Sequence, residues 1–237
     1  MTRDGPLIGL LGGSFNPAHG GHRRITRFAI EALGLDEAWW LVSPGNPLKP
    51  AAGMASLSAR FRSARAMARR APIRVTAIER EVGTRYTADT LRALKRRFPR
   101  RRFVWLMGAD NLAQLHLWRD WRRLAREMPI AVVARPGYDP QALASPAMAW
   151  LRRYRSPAAS LSDPALFNRN GWSAPALLEL RFDADPRSAS AIRLADPNWA
   201  ARLGGATQRD GVTRSLIHDV TPIHDLAKVP APQGGGA

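Results

Sequence analysis

Gly12-Gly13-Ser14-Phe15-Asn16-Pro17-Ala18-His19-Gly20-Gly21-His22 is the stretch whose reading decides the fold. Before it stands a short apolar run, Leu7-Ile8-Gly9-Leu10-Leu11, long enough for one buried strand of a parallel sheet. After it, Ile25, Phe28, Ala29, Ala32 and Leu33 recur at the i, i+3, i+4 spacing of a helix with one buried face. The stretch is therefore the tight turn between a first strand and a first helix, where open α/β sheets bind their ligands. Its residue types suit a phosphate. Gly12 and Gly13 allow close backbone approach, and the N–H groups and dipole of the opening helix favour an anion. His19 and His22 lie three apart, on neighbouring turns of one helix face, and two imidazoles aimed at one anion stabilise charge. The competing reading is a plain Gly-Gly turn with structural histidines. Gly-Gly-Ser-Phe, Asn-Pro and two histidines together after a strand weigh against it, and neither the dinucleotide fingerprint nor a P-loop is present.

With 237 residues, 45% hydrophobic and 23% charged, the chain has the size and composition of one globular domain with a substantial core. No run reaches the roughly 18 apolar residues of a membrane span, and Met1–Pro6 carries no apolar secretory region. Zero cysteines exclude disulfides and thiolate metal sites and suit a reducing compartment. The expectation is a cytoplasmic protein without a membrane partner. The net charge of +17 comes mainly from arginine. Arg60, Arg62, Arg65, Arg69 and Arg70 flank Leu57, Phe61, Ala64 and Met67, and a second group from Arg92 to Arg102 surrounds Leu91, Leu94 and Phe98. Both read as solvated helix faces rather than a nucleic-acid footprint, which needs the charge gathered on one surface.

Four more strands follow the first, at Ala38–Val42, through Ile73, Val75 and Ile78, at Phe103–Met107 and at Ile130–Ala134, with a sixth candidate at Leu177–Phe182. Helices are expected at 56–70, from an N-cap at Thr87 to about Phe98, and at 142–155, with loop at 156–175. The pattern predicts a Rossmann-like, doubly wound parallel sheet of five to six strands with helices on both faces. Candidate ligands recur at the strands' carboxyl ends. Lys49, in the proline-rich loop Ser43–Pro50, reads as a phosphate contact or an exposed lysine. Asp110 reads as a ribose or metal contact or a helix cap, and Trp118 as a stacking ring or core. Arg135 ends the fifth strand, and Ser188, Ser190 and Arg193 sit at a helix start that holds an anion or merely caps itself.

Gly12–His22 resembles the T/HxGH nucleotidylyltransferase superfamily, and its Gly-Gly-Ser-Phe-Asn-Pro form looks like bacterial nicotinate-nucleotide adenylyltransferases. Asn46-Pro47-Leu48-Lys49, Tyr86-Thr87-Ala88-Asp89-Thr90-Leu91, Gly108-Ala109-Asp110, Trp118 and Arg135-Pro136-Gly137-Tyr138 look like family elements in the family's order. Ser188–Arg193 resembles the family's Ile-Ser-Ser-Thr-x-Ile-Arg motif, with Arg187 and Ala189 replacing its isoleucine and second serine. The resemblance covers roughly residues 7–193 and implies a nucleotidylyltransferase domain over 1–205; 206–237 is a C-terminal extension whose Pro- and Gly-rich end, Pro230–Ala237, reads as disordered from its composition. The resemblance also implies AMP transfer from ATP to nicotinate mononucleotide, releasing pyrophosphate and giving deamido-NAD; nicotinamide mononucleotide and phosphopantetheine are the alternative acceptors. Catalysis would rest on His19, His22, Lys49 and Arg193. ATP would meet Gly12, Gly13, Ser14, Phe15, His19, His22, Asp110, Ser188, Ser190 and Arg193. The mononucleotide would meet Asn16, Lys49, Thr87, Trp118 and Arg135, and Mg²⁺ would ride on the ATP phosphates with no protein metal site. Partners are these small molecules, with no specific nucleic acid; oligomeric state is left open.

Overall fold

The strands are β1 (Leu7–Gly13), β2 (Glu37–Val42), β3 (Ile73–Thr76), β4 (Arg102–Gly108), β5 (Ile130–Ala134) and β6 (Leu177–Arg181). They form one sheet in the order β3-β2-β1-β4-β5-β6, with every pairing parallel. This computed structural model describes residues 5–45, 53–134, 139–157, 174–182 and 188–203. Chain order reverses between β1 and β4, so the crevice at their carboxyl ends is the topological switch point where such sheets hold ligands.

The strands are apolar runs because both faces are covered. Along β1, Ile8 and Leu10 enter one core while Leu7 and Leu11 enter the other. β4 alternates in the same way, with Phe103, Trp105 and Met107 on the first side and Val104 and Leu106 on the second. Helices α1 (Gly20–Leu33) and α2 (Leu57–Ala68) cover the second face. The first face lies under α4 (Thr87–Arg97), α5 (Ala109–Gln114), α6 (Trp121–Glu127) and α8 (Pro146–Leu151). A one-turn α3 (Ile78–Glu81) and the short α7 (Asp139–Leu143) complete the set up to β6, after which comes α9 (Ala189–Ala195).

Several expectations are corrected. β1 runs on through Gly12 and Gly13, which pair with Leu41 and Val42, so both glycines end the strand rather than form the turn. Gly12 has a packing reason as well: a Cβ there would lie 2.4 Å from Cη2 of Trp105. Ile78 opens α3 instead of extending β3. Thr87 is the first helical residue of α4, not its cap; the capping position falls to Tyr86, which makes no side-chain cap bond. The helix expected over 142–155 is broken. Ser145 caps α8 and Pro146 opens it, and a proline there cannot continue α7 because it lacks the N–H. Arg60 is buried at 1% exposure, whereas Arg65, Arg69 and Arg70 of the same group are exposed. Arg97, from the second arginine group, is buried too. Most of the loop expected at 156–175 and all of 206–237 lie outside the described residues.

Candidate active site

β1 delivers Gly12, Gly13 and Ser14, all half-buried, to the mouth of the crevice. The chain then turns at Phe15, whose φ of 47° lies in the left-handed region that non-glycine residues seldom adopt. That turn stacks the Phe15 ring on Trp40 at 4.9 Å and sets it 4.9 Å from His22. His19 is the N-cap of α1, and its Nδ1 accepts from the Gly21 N–H at 3.2 Å. In return the His19 N–H donates to His22 Nδ1 at 3.2 Å. This is a capping box built from two histidines, with ring centroids 4.0 Å apart. An Nδ1 that accepts carries no hydrogen, so the geometry assigns the hydrogen of each neutral ring to Nε2. Each imidazole is thus oriented as an N–H donor at the positive end of a 14-residue helix.

Four contacts hold this turn, and most have no sequence signature. Ser63 Oγ accepts from the Ala18 N–H at 3.1 Å. Arg60 donates to the carbonyl of Ser14 at 2.8 Å. The Asn16 amide, 6% exposed, donates to the Gly53 carbonyl at 2.9 Å and accepts from the Ala55 N–H at 3.2 Å. Asn16 therefore acts by fastening the stretch that leads into α2. Arg193 supplies the fourth contact, from Nη1 to the Asn16 carbonyl at 2.6 Å, 177 residues away in sequence. Behind the helix, Thr26 Oγ1 donates to the His22 carbonyl at 2.7 Å and accepts from Trp40 Nε1 at 2.9 Å.

The structure brings His19, His22 and Arg193 to one place. Arg193 Nη2 also reaches Ser190 Oγ at 3.0 Å, and Ser188 caps α9 by accepting from the Ala191 N–H at 3.1 Å. Across the switch point, Asp110 lies in the first turn of α5 just past β4, with Oδ1 buried and, among the described residues, lacking a hydrogen-bond partner. Trp118 is half-buried, edge-on to Trp105 with centroids 6.4 Å apart. Because Trp105 lies against Gly12, the two tryptophans continue outward from the end of β1. Arg119 sits over the Tyr86 ring at 4.5 Å, so the neighbours of Thr87 and Trp118 touch. Lys49 and Arg135 lie outside the described residues.

Glu79 of α3 is a buried acid that sequence reasoning passed over, just before the exposed Arg80 and the ion-paired Glu81. Burial pushes its carboxyl up to about 7, against a hydrogen bond from Ser43 that pulls it down. The Ser43 hydroxyl also donates to the Gly45 carbonyl at 2.7 Å. The folded state holds this proton more tightly than an ordinary glutamate at 4.5. The stability so gained is full below that value and is lost as pH rises through about 7. Between about pH 5 and 8 the thermal midpoint of the wild type is expected to fall, by an amount corresponding to at most about 3 kcal/mol. Glu79→Gln is expected to flatten that slope; an unchanged slope in the variant would remove Glu79 as its source.

Residues 10–194 match the family model described as cytidylyltransferase-like. A probable nicotinate-nucleotide adenylyltransferase of Erythrobacter litoralis is 66% identical over 215 residues, covering 90% of this chain and 96% of the relative. A protein of the same name from Parvibaculum lavamentivorans is 53% identical over 193 residues, covering 81% of this chain and 94% of its own. The solved nicotinic acid mononucleotide adenylyltransferase of Plasmodium falciparum complexed with NaAD aligns over 90% of this chain and 94% of that one, with TM-score 0.57 and 15% identity, which bears on the fold alone. The family match spans β1 to α9 and the identity extends over nearly the whole of a relative, so the chain belongs to the cytidylyltransferase-like family and, within it, to the nicotinate-nucleotide adenylyltransferases.

Proposed function

We propose that the protein transfers the AMP part of ATP to nicotinate mononucleotide, forming deamido-NAD and pyrophosphate. The observation that supports this reading is the reciprocal histidine cap at the turn after β1, whose Asn16 carbonyl Arg193 also holds. The acceptor's phosphate oxygen bonds to the α-phosphorus of ATP, the bond from that phosphorus to the bridging oxygen breaks, and pyrophosphate leaves. A phosphate monoester has a second pKa near 6 and arrives largely ionised at neutral pH. What remains for the protein is alignment and cancellation of the charge that builds on the α-phosphate and the leaving group. His19, His22 and Arg193 are the donors for that charge, with Gly12, Gly13 and Ser14 giving the triphosphate close backbone approach.

The remaining assignments belong to the same reading. Phe15 shapes the turn, Ser188 and Ser190 support Arg193, and Asp110 offers its partnerless oxygen to a ribose hydroxyl. Thr87 and Trp118 flank the nicotinate ring, Lys49 contacts phosphate, and Arg135 contacts the mononucleotide. Asn16 serves the mononucleotide site through the backbone it fastens. Among the described residues no group of three His, Asp or Glu side chains could hold a metal ion. Mg²⁺ enters this reading as part of the Mg–ATP substrate, which suits an ion that keeps most of its ligands as water and phosphate. No helix among the described residues is long and apolar enough to cross a membrane. A cytoplasmic setting and a catalytic domain over 1–205 are part of the proposal.

The test is pyrophosphate release from ATP and Mg²⁺ with nicotinate mononucleotide, nicotinamide mononucleotide and phosphopantetheine offered in parallel. A strong preference for the first is expected. Preference for another acceptor would keep the chemistry and overturn the ring assignment; silence with all three from folded protein would overturn both. Trp118→Ala is expected to raise the apparent KM for the mononucleotide about tenfold, the scale of one stacked ring, while leaving that for ATP within about twofold. Equal effects on both would return Trp118 to the core.

A further inference from the structure

Arg60 is buried at 1% exposure, and among the described residues no carboxylate pairs with it. Its guanidinium meets only backbone carbonyls. Nε donates to Ala55 at 2.9 Å, Nη1 to Ser14 at 2.8 Å and to Ser43 at 2.7 Å, and Nη2 to Pro44 at 3.2 Å. These carbonyls come from three separate stretches at the rim of the crevice: the one that follows β1, the one that follows β2, and the one that enters α2. Burial lowers this arginine's hold on its proton and no carboxylate offsets it, so the group is costly to keep. Hydrogen bonds to charged donors are the strong ones, and only a planar fork with donors at fixed angles reaches several carbonyls at once.

We propose that Arg60 is a positioning residue for the transfer, fixing the distance between the phosphate-binding turn after β1 and the backbone that follows β2. The proposal rests on the adenylyl-transfer reading. In-line displacement needs the attacking oxygen and the α-phosphorus held in a near-attack geometry, where a misplacement of about 1 Å costs on the order of 100-fold. A substrate still binds to its own stretch when the clamp slackens, but the two reacting groups no longer line up. Lysine keeps the charge and loses the fork, so it does not replace Arg60.

The experiment measures kcat and both KM values for Arg60→Lys and Arg60→Met, with the acceptor that gives the wild type its highest turnover. The choice of acceptor is thereby separated from the role of Arg60. Rates are corrected for the folded fraction at the assay temperature, read from thermal unfolding. The expected result is a fall in kcat of at least about tenfold in both variants, with each KM within about threefold. A lowered unfolding midpoint with wild-type kcat in the folded fraction would overturn the proposal, because a merely structural role changes how much protein is folded and not its turnover. Failure of both variants to fold at temperatures where the wild type is active would overturn it in the same way.

Discussion

His22→Ala is expected to lower turnover by about 10³-fold, the cost of removing one preorganised donor from a site of developing charge. In the proposed reaction the ring supplies an N–H to the phosphates; in the structure it leans on Phe15 at 4.9 Å. Its Nδ1 also accepts from the His19 N–H, so the substitution opens half of the capping box. The other half, from the Gly21 N–H to His19, remains. Loss of a cap costs about 1 kcal/mol, or a few degrees in a domain of this size. The variant is thus expected to stay folded by circular dichroism while releasing almost no pyrophosphate. Turnover within tenfold of wild type in the folded variant would remove His22 from the machinery.

The second large effect is expected at Arg193. Its bond to the Asn16 carbonyl at 2.6 Å ties α9 to the turn after β1, and the same fork holds Ser190 Oγ at 3.0 Å. Arg193→Ala is expected to reduce kcat/KM for ATP by about 100-fold, because it removes both a cation and the attachment of α9. The KM for the mononucleotide should change little. Arg193→Lys restores the charge without the fork and is expected to recover only part of the loss. Steady-state kinetics with each substrate varied in turn decides this, and wild-type values in Arg193→Ala would make α9 a structural cap alone.

Much of the sheet was legible in the sequence because a buried parallel strand leaves an unbroken apolar run, as in β1 and β5, whose ends can be placed within a residue or two. The histidine turn was legible because glycines, a proline and two imidazoles occur together at a strand end. Positions that depend on the backbone were less so. Arg60 looked like one more charge on an arginine-rich helix, since its partners are carbonyls and a carbonyl belongs to every residue. Gly12 suited a phosphate by its residue type, yet the Trp105 ring beside it comes from a different strand, β4. Thr87 had the side chain of a cap, but the backbone turned helical one residue sooner. Glu79 was hidden because burial of a short helix behind β2 and β3 cannot be read from four residues.

The paired cap also restricts which molecules can serve as acceptors. Each Nδ1 lone pair already receives a backbone hydrogen, and each Nε2 already carries one. Neither imidazole can take up a further proton without releasing the first turn of the helix it caps. A sugar or alcohol hydroxyl would have to surrender its proton as it attacked, and these rings offer nowhere to put it. In the proposed reaction the pair would act as a filter on ionisation state, admitting nucleophiles that bring their negative charge with them.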